Sequence, residues 1–292
     1  MNTVAMLNGQ FVDINQPLIH IEDRGYQFGD GVYEVVPVMD GRMAGFEYHM
    51  ERLDRSLREL KIPAVYTHED FYEFFVAMIE KGEIYDGNIY LQITRGVSQR
   101  QHQFPEQTVP VMTMVGRQRS YEKINQQYIG GVTLLSMPDI RWHRCDIKTI
   151  NLLPNALAKQ KALESGFDDA LFYREESGNI TECSSSNFYA VKNGVVWTHP
   201  DGELILPGCT KRIIIHDLCG KIDVPVVEKA FNLDFAKTAD ETFMSAASYC
   251  GMPVVKIDKT PIGTGKPGPV AQKIQAEFKK YLSAQKIVFA PK

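Results

Sequence analysis

Residues 140–155 read IRWHRCDIKTINLLPN and place one lysine, Lys148, among apolar and aromatic neighbours. Where a lysine is partly shielded from water its charged form is disfavoured, and the neutral amine can attack a carbonyl carbon to form a Schiff base. A surface lysine at the end of a strand would give the same local pattern. Lys148 is therefore a candidate nucleophile whose role depends on what the rest of the chain supplies.

Length and composition narrow the class of protein. The 292 residues exceed the usual size of one domain, and 44% of them are hydrophobic, which predicts two domains with separate cores. The net charge of -4 is spread along the chain without a basic stripe, so neither nucleic acid nor a membrane is an expected partner. Small-molecule chemistry is therefore favoured.

The cysteines and the N-terminus predict a cytoplasmic location. The five cysteines include no Cys-x-x-Cys pair, and their odd number argues against a disulfide framework. The first residues are too polar for a signal peptide, and no apolar run is long enough to span a membrane. A reducing compartment fits this pattern best.

Three further stretches carry glycines or polar side chains of the kind found in binding sites. Residues 25–34, GYQFGDGVYE, combine three glycines with Tyr33 and permit either a simple turn or close approach to a ligand. Residues 95–104, RGVSQRQHQF, open a long connection between two predicted strands. Residues 179–187, NITECSSSN, place Glu182 ahead of three serines.

In this order the four stretches resemble the fold-type IV pyridoxal-phosphate aminotransferases, and in particular the D-amino acid aminotransferases. The resemblance runs from about residue 7 to about residue 280. It implies a two-domain fold of the α+β or α/β class with the cofactor, pyridoxal 5'-phosphate, between the domains. It also implies an internal aldimine between that cofactor and Lys148.

The resemblance assigns further cofactor contacts. Glu182 would face the ring nitrogen, and Arg52, in the run HMER at residues 49–52, would bind the phosphate. Taken alone, Glu182 is a surface carboxylate and Arg52 a solvated helical arginine whose stem covers apolar surface.

The rest of the phosphate site would come from two segments near the C-terminus. In PGCT, residues 207–210, N-H groups around Cys209 and Thr210 open a helix and form an anion site or an ordinary N-cap. Ser248 would add a hydroxyl from the strand-end loop. That loop reads SAAS at residues 245–248, where D-amino acid enzymes often place hydroxyl residues, so N-H groups of the alanines are an alternative.

The substrate-binding residues implied by the resemblance are Tyr33, Arg100 and His102. They would trap the substrate α-carboxylate, with the Arg-x-His pair contributed by the neighbouring subunit, which implies a homodimer. Without the other motifs, Arg100 and His102 are solvated loop residues. The expected small-molecule partners are amino acids and 2-oxo acids.

Three functions compete. The favoured one is a D-amino acid transaminase that moves an amino group between a D-amino acid, such as D-alanine, and a 2-oxo acid, such as 2-oxoglutarate. A branched-chain L-amino acid aminotransferase or an aminodeoxychorismate lyase would use the same fold. A non-catalytic scaffold dimer is the third, and it has no chemical need for Lys148, Glu182 and Arg52 together.

The chain order predicts a domain boundary near residue 120, within a polar linker at residues 117–128. Residues 1–120 would form a small N-terminal α/β domain, and residues 121–292 a larger C-terminal domain that carries the Schiff-base lysine. Apolar periodicity predicts helices at residues 47–60 and 269–282, and the run at residues 152–165, closed by Gly166, predicts another. A capping pattern at residue 67 predicts a fourth helix. Asn8-Gly9 and Asn193-Gly194 predict hairpin turns.

Overall fold

A computed structural model describes residues 3–291, and these divide into two compact units. The first unit contains the chain up to Ser120, the short segment Ile147–Asn151, and the residues from Gln285 onward. The second contains Tyr121–Asp146 and Leu152–Ala284. In the described residues, no helix combines the length and apolar character that crossing a bilayer requires.

The sheet of the first unit is antiparallel throughout its described strands, in the order β2-β1-β6-β5-β3-β4. Its strands are β1 (Thr3–Leu7), β2 (Gln10–Val12), β3 (Gly31–Met39), β4 (Arg42–Met43), β5 (Gly87–Thr94) and β6 (Val111–Gln118). The predicted turn at Asn8-Gly9 joins β1 to β2, and both turn residues have positive φ, as an Asn-Gly hairpin requires.

Three helices accompany this sheet: α1 (Arg24–Phe28), α2 (Phe46–Glu59) and α3 (His68–Gly82). Apolar side chains recur at helical spacing in α2 and α3, and they pack with Val36 and Met114 of the sheet in one buried cluster. Thr67 caps α3 through the predicted capping box with Asp70. The two long helices are therefore confirmed, whereas α1 lies where only a turn was predicted.

The second unit contains a mixed nine-stranded sheet, ordered β12-β11-β10-β13-β14-β7-β8-β9 in the described residues, with β15 beside β14. The pairs β11·β12, β14·β7 and β7·β8 are parallel. Its strands are β7 (Val132–Pro138), β8 (Asp169–Tyr173), β9 (Ile180–Cys183), β10 (Asn187–Lys192), β11 (Val195–Thr198), β12 (Val226–Glu228), β13 (Glu241–Ala246), β14 (Tyr249–Ile257) and β15 (Thr260–Pro261). The Asn193-Gly194 hairpin between β10 and β11 is confirmed.

The helices of this unit are α4 (Glu122–Gly130), α5 (Leu153–Glu164), α6 (Cys209–Arg212), α7 (Leu233–Lys237) and α8 (Pro269–Ser283). A π-helical stretch, Ile213–Leu218, and a 3-10 turn, Cys219–Ile222, continue α6. The predicted helices at 152–165 and 269–282 correspond to α5 and α8.

Within the predicted linker at residues 117–128 the structure has a helix, because α4 begins at Glu122 and extends to Gly130. Ile124 and Tyr128 pack against the core of the second unit, and the Tyr128 hydroxyl donates to the Cys250 carbonyl at 3.2 Å and accepts from the Cys250 N-H at 3.0 Å. Tertiary packing therefore holds in a helix a segment whose own sequence shows little periodicity.

The segment that carries Lys148 groups with the first unit, which differs from its predicted place in the C-terminal domain. The Tyr33 N-H donates to the Lys148 carbonyl at 3.0 Å, and Thr149 forms a bridge with Val32. These backbone contacts bind the segment to the edge of β3. No local pattern predicts such a return, because the segment is distant from β3 along the chain.

Candidate active site

The backbone around Lys148 is fixed on both sides. In addition to the Tyr33 contact, the Ile150 N-H donates to the Gly31 carbonyl at 3.2 Å, and the Lys148 N-H donates to Ser56 Oγ at 3.3 Å. Asn151 Nδ2 donates to the Gly29 carbonyl at 3.0 Å, and a Cβ at Gly29, which has a φ of 67°, would collide with the Asn151 side chain. The segment therefore presents Lys148 in a defined orientation.

The amine of Lys148 is half-buried and lies 4.2 Å from the centroid of the Tyr33 ring. Among residues 3–291, no side chain or carbonyl gives Nζ a hydrogen bond or an ion pair. A cation over an aromatic face is stabilised less than one paired with a carboxylate. The amine is therefore available to another partner.

Tyr33 is itself held by a second tyrosine. Its ring stacks on Tyr90 with centroids 5.6 Å apart, and the Tyr90 hydroxyl donates to Gln92 Oε1 at 2.6 Å. Burial, with Tyr33 close by, raises the pKa of Tyr90 to about 12, so this phenol stays protonated at neutral pH.

Arg52 is buried on α2 and forms a two-point ion pair with Glu34 of β3. Its Nε and Nη2 each lie 2.8 Å from a different carboxylate oxygen, and His49 Nδ1 lies 2.6 Å from Glu34 Oε2. Burial alone would raise the pKa of Glu34, but Arg52 and His49 reverse that effect and hold the pKa far below its usual range. Glu34 therefore remains an anion that fixes the direction of the Arg52 fork.

Arg100 and His102 lie on the connection between β5 and β6, and both are exposed. The structure brings them together around Phe28: Arg100 Cζ is 4.9 Å from the Phe28 centroid, and the His102 ring meets the Phe28 ring edge-on at 5.9 Å. Two cationic or polar donors are thus presented on one side of an irregular loop.

In the second unit, Glu182 is buried on β9 and surrounded by donors. Arg141 Nη1 lies 2.6 Å from Oε1, Asn187 Nδ2 donates to Oε2 at 3.1 Å, and the Leu206 N-H is 3.2 Å from both oxygens. Burial raises the pKa of Glu182, and Arg141 opposes the rise without cancelling it. The sequence interpretation of Glu182 as a surface carboxylate does not hold.

Arg141 was missed by sequence reasoning, although it lies in the stretch that carries Lys148. Its Nε and Nη2 bind the two carboxylate oxygens of Asp139 at 2.9 and 2.8 Å, and Thr181 donates to Asp139 at 2.8 Å. Arg141 is therefore held mainly by Asp139 and offers only Nη1 to Glu182. The partners of Arg52, Glu34 and His49, were also missed. Of the two, only His49 lies in a motif, the His-x-x-Arg run at residues 49–52.

Cys209 and Thr210 are buried at the start of α6. Thr210 Oγ1 donates to the Ala246 carbonyl at 2.9 Å, which joins α6 to the last residue of β13; Ser248, just beyond that strand, is half-buried. A Cβ on Gly208 would collide with Asn187 Oδ1, so only glycine fits at this approach. The second unit thus brings together Thr210 and the strand-end loop.

These donors fit the chemistry of a pyridoxal phosphate. The described residues supply an amine without a protein partner, a buried carboxylate with an elevated pKa, and an arginine oriented by a second carboxylate. These are the groups needed, respectively, to bind a carbonyl, to hold a proton on a pyridine nitrogen and to bind a phosphate.

Comparison with known proteins places the chain in a family. The model of the class IV amino-transferases matches residues 31–257. The chain is 39% identical to the D-alanine aminotransferase of Staphylococcus haemolyticus over 97% of this chain and 99% of that protein. It is 40% identical to the D-alanine aminotransferase of Staphylococcus aureus strain N315 over 96% and 98%.

A solved structure shares the fold. The branched-chain amino acid aminotransferase of Escherichia coli superposes with a TM-score of 0.86 and 23% identity over 97% of this chain and 95% of that one. The match with the family model over most of the chain, and the two relatives near 40% identity, show that this chain belongs to the class IV aminotransferases.

Proposed function

We propose that this class IV aminotransferase transfers an amino group between a D-amino acid, such as D-alanine, and a 2-oxo acid, such as 2-oxoglutarate, using pyridoxal 5'-phosphate. The observation that carries the proposal is the half-buried amine of Lys148, which lies over Tyr33 and has no hydrogen-bonding or ionic partner in residues 3–291. The D-alanine aminotransferases of the two staphylococci support the substrate class.

When bound, pyridoxal phosphate supplies a carbonyl that can be exchanged between amines and a ring that withdraws electrons from the substrate α-carbon. Lys148 would hold that group covalently through Nζ. Once displaced by the substrate amine, the same Nζ would take the proton from the substrate α-carbon. An amine fixed beside the reacting carbon acts at a high effective concentration, and the backbone contacts of the segment supply that fixation.

Glu182 would hold a proton on the ring nitrogen. An ionised carboxylate suits this role because its negative charge stabilises the protonated ring nitrogen, and a buried carboxylate that the protein compensates incompletely would gain most from that positive charge. The raised pKa of the buried Glu182, together with the donors that fix both its oxygens, supports this assignment.

Arg52, the N-H groups around Cys209 and Thr210, and the Ser248 hydroxyl would bind the phosphate. The Arg52 fork is already oriented by Glu34, so little side-chain entropy would be lost when the phosphate binds. The bond from Thr210 to Ala246 connects two of the proposed contact segments. Because these residues differ from those proposed to bind the substrate, cofactor binding and substrate binding can be tested separately.

Tyr33, Arg100 and His102 would bind the substrate α-carboxylate and so decide which face of the substrate meets Lys148. The exposure of Arg100 and His102 supports a role toward a neighbouring subunit of a homodimer. Three large apolar side chains of the same unit are also strongly exposed, at 75% for Ile21 and 79% each for Tyr26 and Val109. Exposed apolar side chains mark a subunit interface where they form a continuous patch.

We further propose a reducing, cytoplasmic location. All five cysteines are buried thiols without a disulfide partner, which suits a compartment that keeps thiols reduced.

The experiment that tests the function is the absorbance spectrum of the purified protein before and after addition of D-alanine or L-leucine. We expect a band from the bound cofactor that D-alanine bleaches and L-leucine leaves unchanged. Bleaching by L-leucine alone would favour branched-chain transamination, and the absence of any band after addition of pyridoxal phosphate would favour a non-catalytic protein.

The carboxylate trap is tested by Arg100→Ala. Loss of a charge-assisted hydrogen bond should raise the KM for D-alanine roughly 10-fold to 100-fold and leave the cofactor band intact. The exposed Arg58 of α2 gives the matched control, Arg58→Ala, which should have wild-type kinetics. An unchanged KM in Arg100→Ala would remove that residue from the trap.

A further inference from the structure

The connection that carries Arg100 and His102 has little regular structure, so its position needs another explanation. Residues 95–110 contain neither helix nor strand beyond an isolated bridge between Val97 and Asp23. The bridge region holds the start of the loop, where the Arg24 N-H donates to the Gly96 carbonyl at 3.0 Å. It does not account for the part near Arg100 and His102.

That part is held by the side chain of Arg24. Its Nη1 donates to the Gln101 carbonyl at 2.7 Å, and its Nη2 lies 3.5 Å from the His102 carbonyl. Arg24 is only 3% exposed although the carbonyls it binds belong to exposed residues. A buried guanidinium therefore reaches outward to the backbone of His102 and of Gln101, which lies between the two proposed substrate-binding residues.

Asp30 orients the guanidinium group of Arg24 through an ion pair. Arg24 Nε lies 2.8 Å from Asp30 Oδ2, and Arg95 binds the same carboxylate at 2.8 and 3.0 Å. Arg95 also donates to the carbonyls of Leu60 and Lys61 at 2.7 and 2.9 Å, which connects the carboxylate to the end of α2. The orientation of the Arg24 side chain is thus set by Asp30, which lies outside the loop at residues 95–110.

Two aromatic rings complete the arrangement. The Phe28 centroid is 4.7 Å from Arg24 Cζ and 4.9 Å from Arg100 Cζ, so one ring contacts both arginines. Phe104, on the loop, lies 3.6 Å from Arg95 Cζ. Contacts between guanidinium groups and aromatic faces are favourable and directional. They add a second connection between the loop and the buried arginines.

We propose that Arg24 and Asp30 are positioning residues for substrate recognition: they fix the backbone at residues 101–102 and so hold Arg100 and His102 ready for the substrate carboxylate. This inference rests on the proposed function, since it assumes that Arg100 and His102 bind substrate. It assigns a role to side chains that would contact neither substrate nor cofactor.

The test is Arg24→Met, with Arg58→Met as the matched control on exposed α2 surface. Asp30 keeps both bonds to Arg95 in the variant, so the fold should persist while the Gln101 carbonyl loses its donor. We expect the KM for D-alanine to rise roughly 10-fold, with kcat within about threefold and the dissociation constant for pyridoxal phosphate unchanged. Arg24→Lys, which can reach Asp30 or the loop but not both, should give an intermediate KM.

Two readouts separate positioning from a general structural effect. Hydrogen exchange of the apo protein should accelerate at residues 99–104 in Arg24→Met and remain unchanged in α3. In a double-mutant cycle, Arg24→Met should add little to the combined variant Arg100→Ala/His102→Ala, because it acts through those two residues. Full additivity, or wild-type KM in Arg24→Met, would overturn the inference.

Failure of the proposed carboxylate trap would give a different pattern of KM values from failure of the positioning role. If Arg100→Ala raises the KM and Arg24→Met does not, the trap stands and the positioning role falls. If neither variant alters the KM while the cofactor band still responds to D-alanine, the trap itself is misassigned, and the positioning role falls with it.

Discussion

Two buried carboxylates, Glu34 in the first unit and Glu182 in the second, each face an arginine, yet their charges are balanced differently. Arg52 offers Glu34 two nitrogens at 2.8 Å, and His49 adds a third contact. Arg141 offers Glu182 a single nitrogen at 2.6 Å, because its other contacts go to Asp139. The same pair of residue types therefore produces two electrostatic environments.

The consequence appears in the direction of the pKa shifts. Burial would raise the pKa of both carboxyl groups, but the pKa of Glu34 falls well below its usual range, whereas that of Glu182 rises. Glu34 is a permanent anion that orients Arg52. Glu182 is incompletely compensated, which costs stability in the protein alone and suits the role proposed for it on a ring nitrogen.

The largest effect is expected for Glu182→Gln, which tests the difference between the two carboxylates. The change keeps the shape and removes the charge, so we expect kcat for transamination to fall about 100-fold or more, in the range found when one electrostatic contact of an active site is lost. The apo protein should lose less unfolding free energy than the Glu34→Gln variant does, because Arg141 keeps both of its bonds to Asp139.

Steady-state kinetics and denaturant unfolding measure the two effects. Glu175→Gln, at an exposed position after β8, is the control and should leave both unchanged. A large loss of stability with unchanged kcat would reverse the roles assigned to Glu182 and Glu34.

Glu34→Gln should show the converse pattern. Breaking a two-point buried ion pair leaves Arg52 undercompensated, so we expect the apo protein to lose about 3 kcal/mol of unfolding free energy. The dissociation constant for pyridoxal phosphate should also rise, because the Arg52 fork is no longer oriented. Urea unfolding and cofactor titration would be compared with Glu80→Gln, an exposed position on α3. Wild-type stability in Glu34→Gln would contradict the account.

The pH dependence of the unfolding free energy also tests the charge state of Glu34. Because the pKa of Glu34 is lowered in the folded protein, its contribution is complete above the pKa of an unfolded glutamate, about 4.3, and is lost as the pH falls below that value. Apo protein should therefore lose unfolding free energy on acidification more steeply than Glu34→Gln does. Equal slopes below about pH 4 would show that Glu34 carries no such contribution.

The smallest expected effect concerns Thr210→Val. The variant removes the bond to the Ala246 carbonyl, worth about 1 kcal/mol, and should weaken binding of pyridoxal phosphate severalfold with kcat nearly unchanged at saturating cofactor. Thr260→Val on β15 serves as the control, and fluorescence titration of the apo protein provides the measurement. Unaltered affinity would separate α6 from the proposed phosphate site.

Much of the fold could be predicted from local pattern. The helices α2, α3 and α8 follow apolar periodicity, α5 follows from the run that Gly166 closes, and the Asn-Gly turns follow from the need for positive φ. The helix α4 could not be predicted, since it depends on packing by Ile124 and Tyr128 that no local rule contains. The attachment of Lys148 to β3 likewise depends on contacts between distant parts of the chain.

The residues of the proposed site could be named from the sequence, but the contacts around them could not. Lys148, Glu182 and Arg52 could be named from motifs, and the structure shows Glu182 and Arg52 buried among charged partners. The pairs Arg52–Glu34 and Arg141–Glu182 could not be assigned, because a charge pair between residues that are distant along the chain leaves no trace in spacing. The contacts of Arg24 with the Gln101 and His102 carbonyls belong to the same class.

Lys148 is proposed to hold the cofactor covalently through its amine. Pyridoxal phosphate bound to the purified protein should be reduced with borohydride, and the digested protein mapped by mass spectrometry. We predict a pyridoxyl label on Lys148 and its loss in Lys148→Ala. A label on another lysine, or no label after reduction, would contradict the account.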